Sequence, residues 1–171
     1  MSQYKTIHHH HHHFGWDNAL EPVLRVEPGA ELEIHTVDSS GGQLDANSTA
    51  ADVAKLDFEK VNPVTGPIYV EGAQPGDVVA VDILDFTESG WGWTGIIPGF
   101  GLLAEEFTDP LLNISHYDAK RVEFQPGIHI PTRPFPGTIG LALREPGRHS
   151  VVPPRQQGGN MDIRDVTRGS R

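Results

Sequence analysis

The sequence predicts a mainly all-β fold of short strands and tight turns, with at most one or two short helices. Three observations carry this. Nineteen glycines and fourteen prolines among 171 residues suit a chain of many turns better than one of long helices. The stretch from Asn62 to Asp85, NPVTGPIYVEGAQPGDVVAVDILD, reads as turn, strand, turn, strand. An earlier segment repeats its logic: Pro28-Gly29, Leu32, Ile34 and Asp38 match Pro75-Gly76, Val79, Val81 and Asp85 at identical spacing.

In the longer stretch, Asn62-Pro63 and Gly66-Pro67 are turn dipeptides, followed by the apolar strand Ile68-Tyr69-Val70. Pro75-Gly76-Asp77 then turns the chain, because proline presets one central turn position and glycine accepts the positive φ of the next. Val78 to Leu84 is expected to be a second strand, joined to the first as a hairpin or sheet corner. Leu24 to Asp38 reads likewise as strand, turn, strand, with Leu32 and Ile34 alternating with Glu31, Glu33 and His35. Ser39-Ser40-Gly41-Gly42-Gln43 is a glycine loop whose backbone amides are expected to be free for a ligand. Ser48 or Thr49 caps a short helix expected to run through Leu56.

Gly90 to Leu103, GWGWTGIIPGFGLL, mixes five glycines, two tryptophans and a proline with apolar residues. That mixture is expected to form neither a helix nor a regular strand, but a pocket wall or a subunit contact. Asn113 to Phe124 is extended, and Gln125-Pro126-Gly127 turns it back. Three prolines lead from His129 into an apolar strand at Ile139 to Leu143, a corner into a barrel or sandwich. Gly158-Gly159 frees the backbone just before Asn160 and Asp162. The run His8 to His13 reads either as an engineered tag or as a native His-rich segment, so residues 1–13 are set apart from a single domain over residues 14–171. Metal affinity of such a run is generic and locates no functional site.

Net charge is −10, so the basic footprint of a nucleic-acid partner is missing. The absence of cysteine removes disulfides, thiolate metal sites and a cysteine nucleophile. No apolar run reaches the roughly 18 residues of a membrane span, and the N-terminus lacks the apolar region of a signal peptide. A cytoplasmic protein without nucleic-acid or membrane partners is the simplest expectation.

No nucleophile elbow, phosphate-binding loop or H-E-x-x-H motif occurs, and His35, His116, His129 and His149 form no ligand spacing. Carboxylates do gather at strand-to-loop junctions: Asp38 beside Gly41-Gly42-Gln43, Glu71 at its strand end, and Asp162 with Asn160 after the glycine pair. Such positions suit a hard-metal ligand or a general base, and equally an Asx turn or a solvated loop acid.

Taken in order, FGWDN, VDSSGGQ, NPVTGPIYVEGAQPGD, GWGWTGIIPGFGLL, RPFPGTIG and VPPRQQGGNMD resemble the acetamidase/formamidase family over almost the whole chain, from about Phe14 to Ser170. The resemblance implies hydrolysis of short aliphatic amides to carboxylate and ammonia. It also implies a swapped-hairpin, barrel-like β fold, a homo-oligomer, and a zinc or calcium ion in some members, with no organic cofactor. The polar residues it carries over are Asp17, Asn18, Asp38, Gln43, Glu71, Arg133, Asn160 and Asp162; His35 and His129 fall where no family histidine is expected. On this basis Asp38 and Asp162 are expected to hold the metal, and Glu71, Asn160 and Asp162 to serve catalysis. Asn160 or the amides of Gly158 and Gly159 would face the oxyanion. Gln43, Trp91, Trp93 and Arg133 would bind substrate, with the tryptophans restricting the pocket. Family members usually run on for a hundred or more further residues including an acidic, His-containing segment, so the rest of the site is expected on a separate C-terminal polypeptide, to have been removed by proteolysis, or to be dispensable in a divergent member. Two alternatives stand beside the amidase: a non-catalytic β module that oligomerises or binds a partner, and a hydrolase of a related lactam or urea-like bond.

Overall fold

The computed structural model describes residues 4–171. Strands dominate: β1 Lys5–Ile7, β2 His12–His13, β3 Leu24–Val26, β4 Leu32–Ile34, β5 Val64–Thr65, β6 Ile68–Val70, β7 Trp91–Ile96, β8 Leu111–Tyr117, β9 Arg121–Gln125, β10 Ile128–Pro131, β11 Thr138–Gly140 and β12 Gly158–Asn160. One four-residue helix, α1 Ala50–Val53, and a 3-10 turn at Phe58–Lys60 complete the elements among the described residues. The fold is all-β, as the sequence predicts. No helix among the described residues is long and apolar enough to cross a membrane.

The chain forms two compact units. The first runs through Gly42 and takes in Glu59–Val81 and Pro136–Ile163; the second comprises Gln43–Phe58, Asp82–Phe135 and Arg164–Arg171.

Strand pairing in the first unit differs from the expected hairpins. β3 and β4 do not pair with each other across the Pro28-Gly29 turn. Instead β4 pairs in parallel with β1, setting Ile34 opposite Ile7, and β3 pairs in parallel with β6, setting Val26 opposite Val70. The turn itself forms as expected, with the Ala30 N–H donating to the Glu27 carbonyl at 3.2 Å and Gly29 at φ +85°. The reason is burial. A hairpin of three-residue strands is marginal alone, whereas pairing with remote strands leaves Ile7 2% and Val26 6% exposed. β2 pairs antiparallel with β5, so His12 and His13 are part of a sheet. Trp16, Val64 and Val151 form the core cluster, with Leu143 against it.

In the second unit β10-β9-β8-β7 form an antiparallel sheet, and α1 lies against β8 and β7. The expected irregular segment is corrected here: its first half is β7, six residues long, paired with β8 from Trp91 opposite His116 to Ile96 opposite Leu111. Alternation makes this work. The Trp93 ring covers Gly95, whose notional Cβ would sit 3.4 Å from it, and the Tyr117 ring covers Gly92 at 3.6 Å. Large rings thus shield the bare backbone that glycine leaves in a strand.

Two further elements fall short of expectation. Val78 to Leu84 is extended but joins no ladder among the described residues; Ile83 alone exchanges bonds, donating to Ser170 O at 3.0 Å and accepting from Gly169 N at 2.8 Å. Its valines and Leu84 stay outside, with Val78 93% exposed. Alternation names a face, not a partner. Helix α1 stops at Val53 because the next turns tighten: Lys55 and Leu56 donate to carbonyls three residues back, at 3.1 and 3.3 Å. Its start is as expected, with the Asp52 carboxylate accepting from Thr49 N at 2.9 Å and Thr49 Oγ1 at 2.8 Å. The late apolar strand is β11, three residues rather than the expected Ile139 to Leu143.

Candidate active site

β11 and β12 bring the densest set of functional candidates together. Thr138 lies opposite Asn160 and Gly140 opposite Gly158. The strands approach closely because they are bare: a Cβ on Gly158 would stand 2.6 Å from the Ile139 carbonyl oxygen, and one on Gly140 2.8 Å from Gly159 N and 3.3 Å from the Trp16 ring. Thr138 Oγ1 is 3.2 Å from Asn160 Oδ1 and 3.4 Å from Asn62 Oδ1, one hydroxyl shared by two acceptors. Asn160 Nδ2 donates to the Val152 carbonyl at 2.9 Å. One of its two amide protons is thereby spent, leaving the second for another acceptor.

Two residues on from Asn160, Asp162 holds φ at +49°. Its N–H donates to the Gly137 carbonyl at 3.0 Å. A Cβ on Gly137 would lie 2.8 Å from Asp162 Oδ1, so the carboxylate occupies room that only glycine leaves. Aspartate tolerates the left-handed region better than most side chains, and such outliers gather at working sites. The Gly158 N–H, by contrast, donates to Arg155 O at 3.1 Å and is committed to the turn.

Asp38, expected as a metal ligand, closes its own loop. Its Oδ2 accepts from Ser40 N at 2.9 Å, its Oδ1 from Gly42 N at 3.0 Å, and its carbonyl from Gly41 N at 2.9 Å. The expectation of free amides in Ser39 to Gln43 is therefore corrected: three of them bind Asp38, as an Asx turn does. Glu71 sits at the end of β6 with Oε1 3.5 Å from Arg25 Nη1, and the Arg25 guanidinium lies 4.2 Å over the Tyr69 ring. Among the described residues, no three His, Cys, Asp or Glu side chains are grouped to hold a cation. These residues alone thus do not assemble the ligand set expected for zinc or calcium.

The candidate substrate-binding residues lie in the second unit. Gln43 spends both ends of its amide on the Asp57 backbone, at 3.1 and 2.8 Å. Arg133 Nη2 pairs with Asp165 Oδ1 at 3.0 Å near the surface. Trp91 and Trp93 point to one face of β7 and are half-buried.

The structure also brings forward two residues that sequence reasoning passed over. His13 Nδ1 is 2.7 Å from the Gly15 carbonyl oxygen. A carbonyl only accepts, so Nδ1 carries the proton and Nε2 keeps its lone pair. The ring is half-buried, and burial lowers its pKa below the usual 6.5; neighbouring His12 lowers it further, while the Gly15 carbonyl and Asp17 pull the other way. The ring stands edge-on to Trp16, centroids 6.5 Å apart at 74°. Trp16 is 6% exposed, and its Nε1 is buried without an acceptor among the described residues, as are Arg155 Nε and Gln157 Nε2. Arg148 secures the backbone between the two rings, donating from Nε and Nη2 to Phe14 O at 3.2 and 3.0 Å and from Nη1 to Glu59 Oε2 at 3.2 Å. The available signal was the direct junction of the histidine run with Phe14-Gly15-Trp16-Asp17, with no linker between.

Comparison with known proteins gives a consistent result. The Acetamidase/Formamidase family profile matches residues 1–149, a range that includes the histidine run. A formamidase of Methylophilus methylotrophus is 31% identical over 91% of this chain and 52% of its own length. The crystal structure of an acetamidase from Bacillus halodurans superposes with a TM-score of 0.87 at 28% identity, covering 95% of this chain and 54% of that one. A gamma lactamase from Delftia acidovorans superposes at 0.84 with 28% identity, covering 93% of this chain and 52% of that one. The chain therefore spans about half the length of the relatives it matches. With the family profile matching residues 1–149, this chain belongs to the acetamidase/formamidase family.

Proposed function

We propose that this chain serves the hydrolysis of short aliphatic amides of the formamide and acetamide type to carboxylate and ammonia. The observation that carries the reading is the 31% identity, over 91% of the chain, to a formamidase. The chemistry requires water to add to the carbonyl carbon, a donor for the resulting oxyanion, and a proton for the departing nitrogen. Asn160 is the favoured oxyanion donor, because its second amide proton is uncommitted while Val152 and Thr138 fix its orientation. Asp162, held in the left-handed region beside Gly137, is the carboxylate best placed to act with it. Glu71 is proposed to move protons from its strand end. Gln43, Arg133, Trp91 and Trp93 are proposed to shape the amide pocket. Asp38 and Asp162 are proposed ligands of a divalent ion.

A cytoplasmic homo-oligomer belongs to the same proposal. The exposed apolar side chains of Val78 and Leu102, at 93% and 104%, support a further covering surface. A second reading, hydrolysis of a cyclic amide, is favoured by the structural match to a gamma lactamase.

Ammonia release from formamide, acetamide and a simple lactam by the purified chain, with and without a chelator, tests the reading. Turnover of the linear amides is expected, and loss of turnover on chelation would reveal the metal. No ammonia from any substrate would exclude this chain as a self-sufficient amidase. An Asp162→Ala variant that folds and turns over normally would remove Asp162 from the mechanism.

A further inference from the structure

Resting on the amidase reading, we propose that His13 is the general base: Nε2 takes the proton of the attacking water, with Trp16 as a positioning residue. Three features of geometry carry this. The Nδ1–H bond to Gly15 O at 2.7 Å fixes both the tautomer and the ring plane, the arrangement that frees Nε2 as a base. Among the described residues, Nε2 is bonded to no protein group. Edge-on to the ring, with centroids 6.5 Å apart, stands an indole that is 6% exposed and whose Nε1–H is buried with no acceptor among the described residues.

The surroundings keep the base in place. Pairing of β2 with β5 sets His13 opposite Val64, one of the core residues, and Trp16 bridges to His149 by two backbone bonds at 2.8 and 2.9 Å. Between them, Gly15 leaves room for the Arg148 side chain: a Cβ there would stand 2.5 Å from Arg148 Cγ. The charged and titratable groups acting on His13 are His12 and Asp17, with Arg148 reaching the same backbone through Phe14 O. Burial favours the neutral ring, which is the form a base needs at neutral pH.

The step balances without a further reactant. As the water oxygen bonds to the amide carbon, one water proton passes to Nε2 and the carbonyl electrons move onto oxygen. When the C–N bond breaks, that proton goes from the imidazolium to the leaving nitrogen, giving ammonia. The carboxylic acid then releases its remaining proton, so the products are carboxylate and ammonium.

His13→Asn is the informative variant, because its side-chain N–H can keep the bond to Gly15 O while the Nε2 base is removed. With amide turnover in the wild type, the variant is expected to lose about 100-fold or more in kcat, the low end for general-base catalysis. It is also expected to lose the acid limb of the kcat–pH profile, which in the wild type rises through a pKa below 6.5. An acid limb unchanged in the variant, or kcat within about threefold of wild type, overturns the proposal and leaves the amidase reading standing. If the wild type itself releases no ammonia, that reading fails for this chain, and NMR decides the proposal separately. The His13 imidazole resonance, assigned by its loss in His13→Asn, is then followed during acetamide titration. A saturable shift supports an amide site at His13, and no shift overturns it.

Discussion

Gln43 and Asp57 exchange two hydrogen bonds: Gln43 Nε2 donates to the Asp57 carbonyl at 3.1 Å, and the Asp57 N–H donates to Gln43 Oε1 at 2.8 Å. One side chain thus closes the segment that carries α1 and the buried side chains of Leu44 and Val53. Gln43→Ala leaves both backbone groups without these partners, and the expected cost is about 1–3 kcal/mol. Urea unfolding measures it. An unchanged midpoint with weakened amide binding would instead return Gln43 to the substrate pocket.

Glycine is required at Gly41 for space as well as for conformation. Its φ is +71°, and an added Cβ would collide with the Lys60 carbonyl oxygen. Gly29 provides the control, with φ +85° and nothing within 4 Å of a Cβ. Gly29→Ala is expected to cost about 1–2 kcal/mol, the left-handed penalty alone. Gly41→Ala is expected to cost about 1–3 kcal/mol more, through overpacking. Thermal melts of the two variants compare them directly, and equal losses would contradict the clash.

Asn160 and Thr138 are expected to be energetically coupled. Their 3.2 Å contact is shared with Asn62 and braced by Val152. In a double-mutant cycle of Asn160→Ala with Thr138→Val, the coupling energy is expected at about 0.5–3 kcal/mol. Strict additivity in urea unfolding would show that the contact contributes nothing.

Acid is expected to weaken the fold in two steps. The pKa of His13 is lowered in the folded state, chiefly by burial. The unfolded chain therefore binds the extra proton first. The stability contributed is complete above the usual 6.5 and is lost as pH falls through the lower folded value. Asp52 and Asp118 are also lowered, principally by backbone N–H donors from Thr49 and from Lys120 and Arg121. Their contribution is present above the usual 3.8 and is lost as pH falls through their folded pKa values. Unfolding midpoints measured across pH should show both steps, and His13→Asn should reduce only the upper one, to which His10, also lowered, contributes as well.

Turn chemistry was the most legible feature of this chain, because it is local. Pro28-Gly29, Pro75-Gly76-Asp77 and Gln125-Pro126-Gly127 form turns where their residues demand positive φ, with Gly29, Gly76 and Gly127 at +85°, +106° and +81°. The Thr49 cap is local in the same sense. The roles of the polar site residues were less legible. Sequence marks Asp38 and Asp162 alike, as carboxylates beside glycines. The structure separates them: Asp38 is occupied by Ser40 and Gly42, whereas Asp162 stands in a left-handed backbone against Gly137.

By itself, the sequence determined an all-β chain, its turns and its resemblance to an amidase family, since these rest on short-range sterics and on the order of motifs. Only the tertiary structure decided which strands pair. β3 could close on β4 across five residues, yet it pairs with β6, because the buried Val26 gains more from a remote partner than from its neighbour. The structure alone also separated His13 from the histidines before it. Six adjacent imidazoles are chemically equivalent in a sequence. His12 is also bonded to a backbone carbonyl and stands against Phe14, but His13 alone of the run is set against the buried Trp16. The distinction follows because tautomer and basicity depend on surroundings that non-local contacts create.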